Sequence, residues 1–224
     1  MTSVPTTMHA TLEQTPARSA LFDDQRAGAI YRTAAQLIRR RGFAATSMAE
    51  IAEAVELTKP GLYYHVKGKK ELLFAIMSHA MDLLDREVVA SATPEEDPEQ
   101  RLRIIVDRHC RLLMRDEHGA LGILIDEVEG LSGEQKDEII ARKRRYFELV
   151  RDTIAELRYQ RGASGIDPTA AAFSVLGMIM WLSRWYDTAG PLSSDEITDD
   201  LTAIALAGVL AEHGPWRTTT RQPI

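Results

Sequence analysis

From Leu21 onward, apolar residues recur every three or four positions, and the runs of Val and Ile that strands use are missing. That spacing gathers apolar side chains along one stripe of a helix and gives a sheet no continuous face to bury, so the chain is expected to be all-α. Its first helix is read from Asp23 to Arg41, with Ile30, Ala34, Leu37 and Ile38 on one face and Gly42 as its stop. Thr46 or Ser47 then caps a short helix carrying Met48, Ile51, Ala52 and Val55, with Glu50 completing a capping box if Ser47 is the cap. Glu56, Leu57 and Thr58 form a turn, and a second short helix begins near Lys59 with Pro60 in its first turn, where a missing N–H does no harm. Two short helices across a three-residue turn make a helix-turn-helix.

Longer helices are expected beyond it, near Lys69 to Ala90, Pro98 to Asp116, Ala120 to Gly130, Ser132 to Arg161, Pro168 to Tyr186 and Ser193 to His213. The break from Thr93 to Pro98, with its two prolines and three acids, reads as a hinge between a small head and a larger body. The expected division is a disordered arm over 1–20, a head over 21–68, a body over 69–214 whose first helix (69–91) connects it to the head, and a frayed tail over 215–224.

Charge divides the same way. The chain carries −6 overall, yet between Arg26 and Met81 nine Lys or Arg stand against four Glu, a net of +5 that leaves −11 for the rest. A basic head on an acidic body suits a protein that presents one end to phosphates. No run of about 18 apolar residues exists to span a bilayer, and the Thr-, Pro- and Ser-rich start lacks a signal peptide's apolar core, so a cytoplasmic protein without membrane contact is expected. The single cysteine, Cys110, rules out an intrachain disulfide and a multi-thiolate zinc site; it reads as a small buried hydrophobe or a redox sensor.

On the second short helix Leu62 fits a buried side, whereas Lys59, Gly61, Tyr63, Tyr64 and His65 cannot all be buried on so short an element. Hydroxyls and an ammonium reach phosphates, rings cover sugar or a thymine methyl, and Gly61 permits close approach, so a DNA groove is one reading. Thr46, Ser47, Thr58 and Lys69 lie at helix starts, where hydroxyls and backbone N–H groups hold phosphate oxygens. The plainer reading makes Tyr63 and His65 partly buried packing residues and the lysines a solvated face.

The stretch from Gly42 to Leu73 resembles the DNA-binding signature of the TetR family of transcriptional regulators. The resemblance rests on Gly42-Phe43, Thr46, Ile51-Ala52, Ala54, Leu57-Thr58, Leu62-Tyr63, His65, Lys69 and Glu71-Leu72 in order and spacing. It implies a three-helix head, with Thr46, Thr58, Lys59, Gly61, Tyr63, Tyr64, His65 and Lys69 at positions that contact double-stranded operator DNA, mostly its phosphates. Two residues depart from the pattern: Glu56 stands at the usual turn glycine, where a left-handed backbone costs on the order of 1 kcal/mol, and Val66 replaces a phenylalanine.

The helix from Pro168 is apolar on two faces, Phe173, Leu176, Gly177, Met180 and Trp181 on one and Val175, Met178, Ile179, Leu182 and Trp185 on the other. A helix apolar on two faces buries both. Paired with Ile197, Leu201, Ile204, Ala205 and Val209 of the last helix, it suits a twofold four-helix interface, hence a homodimer whose two heads read a palindromic site; a monomer with one thick core is the alternative. The segment from Trp181 to Tyr186 with Gly190 to Ile197 resembles a TetR branch whose members respond to acyl-CoA thioesters or related catabolic intermediates, which implies a repressor whose operator affinity such an inducer changes. Leu113, Met114, Leu121, Ile125, Phe147, Met178 and Trp181 are then tunnel candidates, and Arg108, Arg111, Arg145 and Arg184 cations for phosphates. Ordinary core residues and surface ion pairs are the alternative.

An enzyme is not expected. Glu-x-x-His pairs, His-Glu-x-x-His and Gly-rich phosphate loops are absent, and no cofactor is called for. Asp126, Glu127 and Glu129 with Glu117 and His118 are read as a solvated acidic face rather than a metal site. A regulator of efflux or stress genes sensing an apolar drug-like ligand, or a DNA-binding module with no ligand, stays open.

Overall fold

The structure, a computed structural model, describes residues 25–212. The arm over 1–20, the acids Asp23 and Asp24 and the tail over 215–224 lie outside the described residues. Among those described, every regular element is helical.

Helices α1 (Gln25–Arg41), α2 (Met48–Ala54) and α3 (Lys59–His65) form the head. Local chemistry sets their limits. Ser47, not Thr46, caps α2: its hydroxyl accepts from Glu50 N at 3.2 Å, and the Glu50 carboxylate accepts from Ser47 N at 2.7 Å. Those bonds hold the Glu50 carboxyl below its ordinary range, with Arg41 adding to the effect. Thr58 caps α3 by accepting from Gly61 N. Between the two helices Glu56 sits at φ 56°, the left-handed position foreseen for it.

Helix α4 (Lys69–Leu84) is buried on nearly every face, from Leu72 to Leu84, because head and body both pack on it. It is not the uniform helix expected to Ala90: a π-helical turn (Asp85–Val89) leads into α5 (Ala90–Ala92). The body adds α6 (Pro98–Met114), α7 (Ala120–Asp126), a 3₁₀ turn (Val128–Gly130), α8 (Gly133–Gln160), α9 (Pro168–Trp185) and α10 (Ser194–Leu210). The segment read as one helix to Gly130 therefore breaks at Glu127. Asp97, Asp167 and Ser193 cap α6, α9 and α10, and the Asp116 carboxylate caps α7 by accepting from the N–H groups of Gly119, Ala120 and Leu121.

A single core runs from head to body. Helix α6 packs on α8, α9 and α10, while short α7 wedges between α1 and α4.

Candidate nucleic-acid interface and ligand cavity

Leu62 and Val66, four residues apart, anchor α3 in the core. Their neighbours are therefore turned outward: Tyr64 is 87% exposed and Tyr63 45%, and Lys59, His65 and Lys67 are exposed with them. The Tyr64 and His65 rings meet edge to face at 5.4 Å. Neither Tyr63 nor His65 is a core residue, and Tyr63 keeps about half of its surface covered. Ser47 and Thr58 stand exposed at the starts of α2 and α3.

Two expected phosphate contacts are engaged elsewhere. Thr46 is only 2% exposed, and its hydroxyl donates to Gly42 O at 2.9 Å, so it pins the turn after α1 rather than facing outward. The Lys69 ammonium lies 4.3 Å from the Phe43 ring centroid and donates to Ala44 O at 3.2 Å, tying α4 to that same turn. Gly61 has an internal reason to be glycine: a Cβ there would stand 3.1 Å from Thr58 Oγ1, against the helix cap.

The body holds a half-open cavity of about 420 Å³. Four of the tunnel candidates line it, Leu113, Leu121, Ile125 and Phe147, together with Met81 and Leu84 of α4 and Leu124 of α7. Helix α9 contributes Phe173, Leu176 and Met180. The exposed members of the lining are Ile140, Arg144 and Phe173, which places the opening between α8 and α9; Phe147 and Phe173 stack there at 4.5 Å. At the buried end Tyr146 Oη and His109 Nδ1 are 2.9 Å apart. Burial alone pushes the His109 imidazole down to about 4, and burial with a smaller contribution from Cys110 raises the Tyr146 phenol, so both are neutral at neutral pH. Lys143, half-buried beside the opening, donates to Leu124 O at 3.1 Å, and desolvation lowers its pKa.

The remaining candidates lie elsewhere. Met114 packs half-buried on the core, Met178 lines a groove between α9 and α10, and Trp181 is 64% exposed. Arg111 is bound to Asp107 and Asp195, and Arg184 to Asp126. Arg108 and Arg145 are exposed and outside the cavity lining. The cations at the cavity are instead Lys143 and Arg144. Sequence reasoning also missed His109 and Tyr146, which are 37 positions apart and meet only through the packing of α6 on α8.

The acidic stretch is divided among separate partners: Asp126 takes Arg184, Glu127 the backbone of Phe43, and Glu129 Lys136 at 2.7 Å. Among the described residues no three His, Cys, Asp or Glu side chains converge as a metal site. Cys110 is fully buried, and its thiol is pushed up to about 12 by burial and by Asp107, which leaves it unreactive.

A capped helix-turn-helix bearing an outward aromatic and basic face, on a helical body with an apolar cavity, defines a DNA-binding regulator. Residues 30–76 match the profile "Bacterial regulatory proteins, tetR family", and residues 95–209 match "Tetracyclin repressor-like, C-terminal domain". The chain belongs to the TetR family. The crystal structure of AibR with isovaleryl coenzyme A and operator DNA is similar at a TM-score of 0.74 and 37% identity, over 80% of this chain and 97% of that one. The transcriptional repressor KstR2 of Rhodococcus jostii is 27% identical over 186 residues, 80% of this chain and 89% of that protein. KstR2 of Mycobacterium tuberculosis, at a TM-score of 0.75 and 22% identity over 84% and 97% of the two chains, shares the fold. No described helix is long and apolar enough to cross a membrane.

Proposed function

We propose that the chain is a cytoplasmic, homodimeric repressor whose hold on a palindromic operator is relieved by an acyl-CoA thioester or related catabolic intermediate. The observation that carries the ligand half is the cavity itself: an apolar recess for an acyl group, opening beside Arg144 and Lys143, with exposed Arg145 next in sequence. The 37% identity to AibR, whose structure holds isovaleryl coenzyme A and operator DNA, supports the same class.

For the DNA half, Ser47, Thr58, Lys59, Gly61, Tyr63, Tyr64 and His65 supply the contacting face, while Thr46 and Lys69 brace it from behind. The head is residues 21–68 and the body 69–214. The dimer rests on α9 and α10, where Trp181, Trp185 and Ile204 stand exposed and an added Cβ at Gly177 or Gly208 would meet nothing within 4 Å.

Fluorescence anisotropy on DNA from upstream of the chain's own gene, at several salt concentrations and with a panel of thioesters, tests this reading. Salt-sensitive binding abolished by one thioester is the expected result. Specific binding indifferent to every thioester would discard the ligand class and keep the DNA reader.

A further inference from the structure

The cavity is apolar except at two places. Lys143 and Arg144 are near the opening, and the His109–Tyr146 pair sits at the buried end. A polar pair in an apolar wall is costly to desolvate unless something accepts or donates to it. The bond between the two rings uses one proton and one lone pair. A phenol and a neutral imidazole together hold two N–H or O–H donors and further lone pairs, so the pair retains hydrogen-bonding capacity toward a third group.

We infer that this floor selects a ligand whose buried end carries one neutral oxygen, a ketone or hydroxyl, in addition to any thioester nearer the opening. The inference rests on the thioester reading above for the outer end of the ligand and on His109 and Tyr146 alone for the inner end. A purely hydrocarbon end leaves the pair facing alkane. A carboxylate end brings a charge beside a buried imidazole that resists protonation to meet it, while the nearby Lys143 ammonium is tied to Leu124 O.

Three coenzyme A thioesters of equal chain length separate these cases: hexanoyl, 5-oxohexanoyl and adipoyl. In calorimetric titration of the full chain, 5-oxohexanoyl-CoA is expected to bind about five- to tenfold more tightly than hexanoyl-CoA, the worth of one neutral hydrogen bond, with adipoyl-CoA weakest. Tyr146→Phe and His109→Leu are each expected to bring the oxo-to-plain ratio close to one. A thermal melt confirms that each variant is folded, and the wild-type ratio needs no variant at all. Hexanoyl-CoA binding as tightly as the ketone, or adipoyl-CoA binding best, overturns the inference. A second pair without coenzyme A, cyclohexanone and cyclohexane followed by thermal shift, isolates the floor from the opening. A ketone preference erased by Tyr146→Phe upholds the floor even if no thioester binds, in which case the thioester reading fails by itself; no preference overturns the floor.

Discussion

The carboxylate of Glu127 accepts a hydrogen bond from the backbone N–H of Phe43 at 3.0 Å, joining two turns 84 residues apart. One follows α7, whose Leu121, Leu124 and Ile125 form cavity wall; the other follows α1 and launches α2. Gly130 packs so closely that an added Cβ would stand 2.7 Å from both Phe43 and Leu73. The wall of the cavity and the entrance to the helix-turn-helix are thus tied together by this bond and by the packing at Gly130. Glu127→Ala removes the acceptor and is expected to cost roughly 1 to 2 kcal/mol in denaturant unfolding, whereas Glu127→Gln, whose amide oxygen still accepts, costs less than half as much. Equal losses would show that the charge and not the bond matters.

Glu56 occupies a left-handed backbone position on the exposed face of the head, beside the outward side of α3. Glu56→Gly removes the steric cost of that conformation and is expected to raise stability by about 0.5 to 1 kcal/mol, the gain being trimmed by the glycine's larger unfolded entropy. It also takes a negative charge away from the face proposed to meet phosphates, so operator affinity should rise or hold. A stability loss on substitution would mean that Glu56 makes a compensating contact through its side chain.

What the sequence disclosed and what it hid divide along local and non-local lines. Ser47 with Glu50, Pro60 after Thr58 and Gly42 after Arg41 are adjacent signals, each acting within one helical turn, so the head was readable residue by residue. The cavity depends on how each body helix is rotated about its axis. On α9 the inward residues are Phe173, Leu176 and Met180; Met178 and Trp181, equally apolar, are turned about 100° per residue away from them and face a groove and open surface. Arg111 and Arg184 pair with Asp195 and Asp126, 84 and 58 positions distant, and stand outside the lining of the cavity. The π turn at Asp85–Val89 has no residue signature to announce it.

Lys59 and Tyr64 lie on the outward face of α3 and touch little else, so substitution there should separate binding from folding. Lys59→Ala is expected to leave the melting temperature within a degree or two and to lower the slope of log affinity against log salt by about 0.9 for each phosphate the side chain no longer neutralises. Tyr64→Ala, at a residue 87% exposed, should likewise spare stability while weakening operator binding. Unchanged affinity for both would move the interface off this face.

His109 predicts an acid limit to stability. Its folded pKa, about 4, lies below the roughly 6.5 of an unfolded histidine, because burial disfavours the charged ring. Between those values the unfolded chain binds the extra proton, so this contribution to stability is complete above pH 6.5 and is lost as the pH falls toward 4. The loss is on the order of 3 kcal/mol. Wild type should therefore lose that much more than His109→Gln over the window, measured by urea unfolding at half-unit steps; parallel curves would place the acid sensitivity elsewhere.

The proposed dimer has the sharpest physical test, because its two sides are already described within one chain. Helices α9 and α10 bury Val175, Ile179, Leu182, Ala205 and Val209 against their own body, yet leave Trp181, Trp185 and Ile204 exposed. Beside them lies a groove lined by Met178, Ala205 and Gly208. Exposed aromatic and aliphatic groups flanking an apolar groove mark an interaction surface, which the proposed dimer would cover with a second copy. The wild-type chain should sediment at twice its 25.0 kDa mass. Ile204→Arg, placing a charge where the partner helix packs, should return it to the single-chain mass with its helical content intact. Because two heads on one operator bind with a high effective local concentration, the separated chains should lose about 100-fold or more in operator affinity while each head keeps its fold. Wild type sedimenting at the single-chain mass would remove the dimer and leave the exposed tryptophans without a partner.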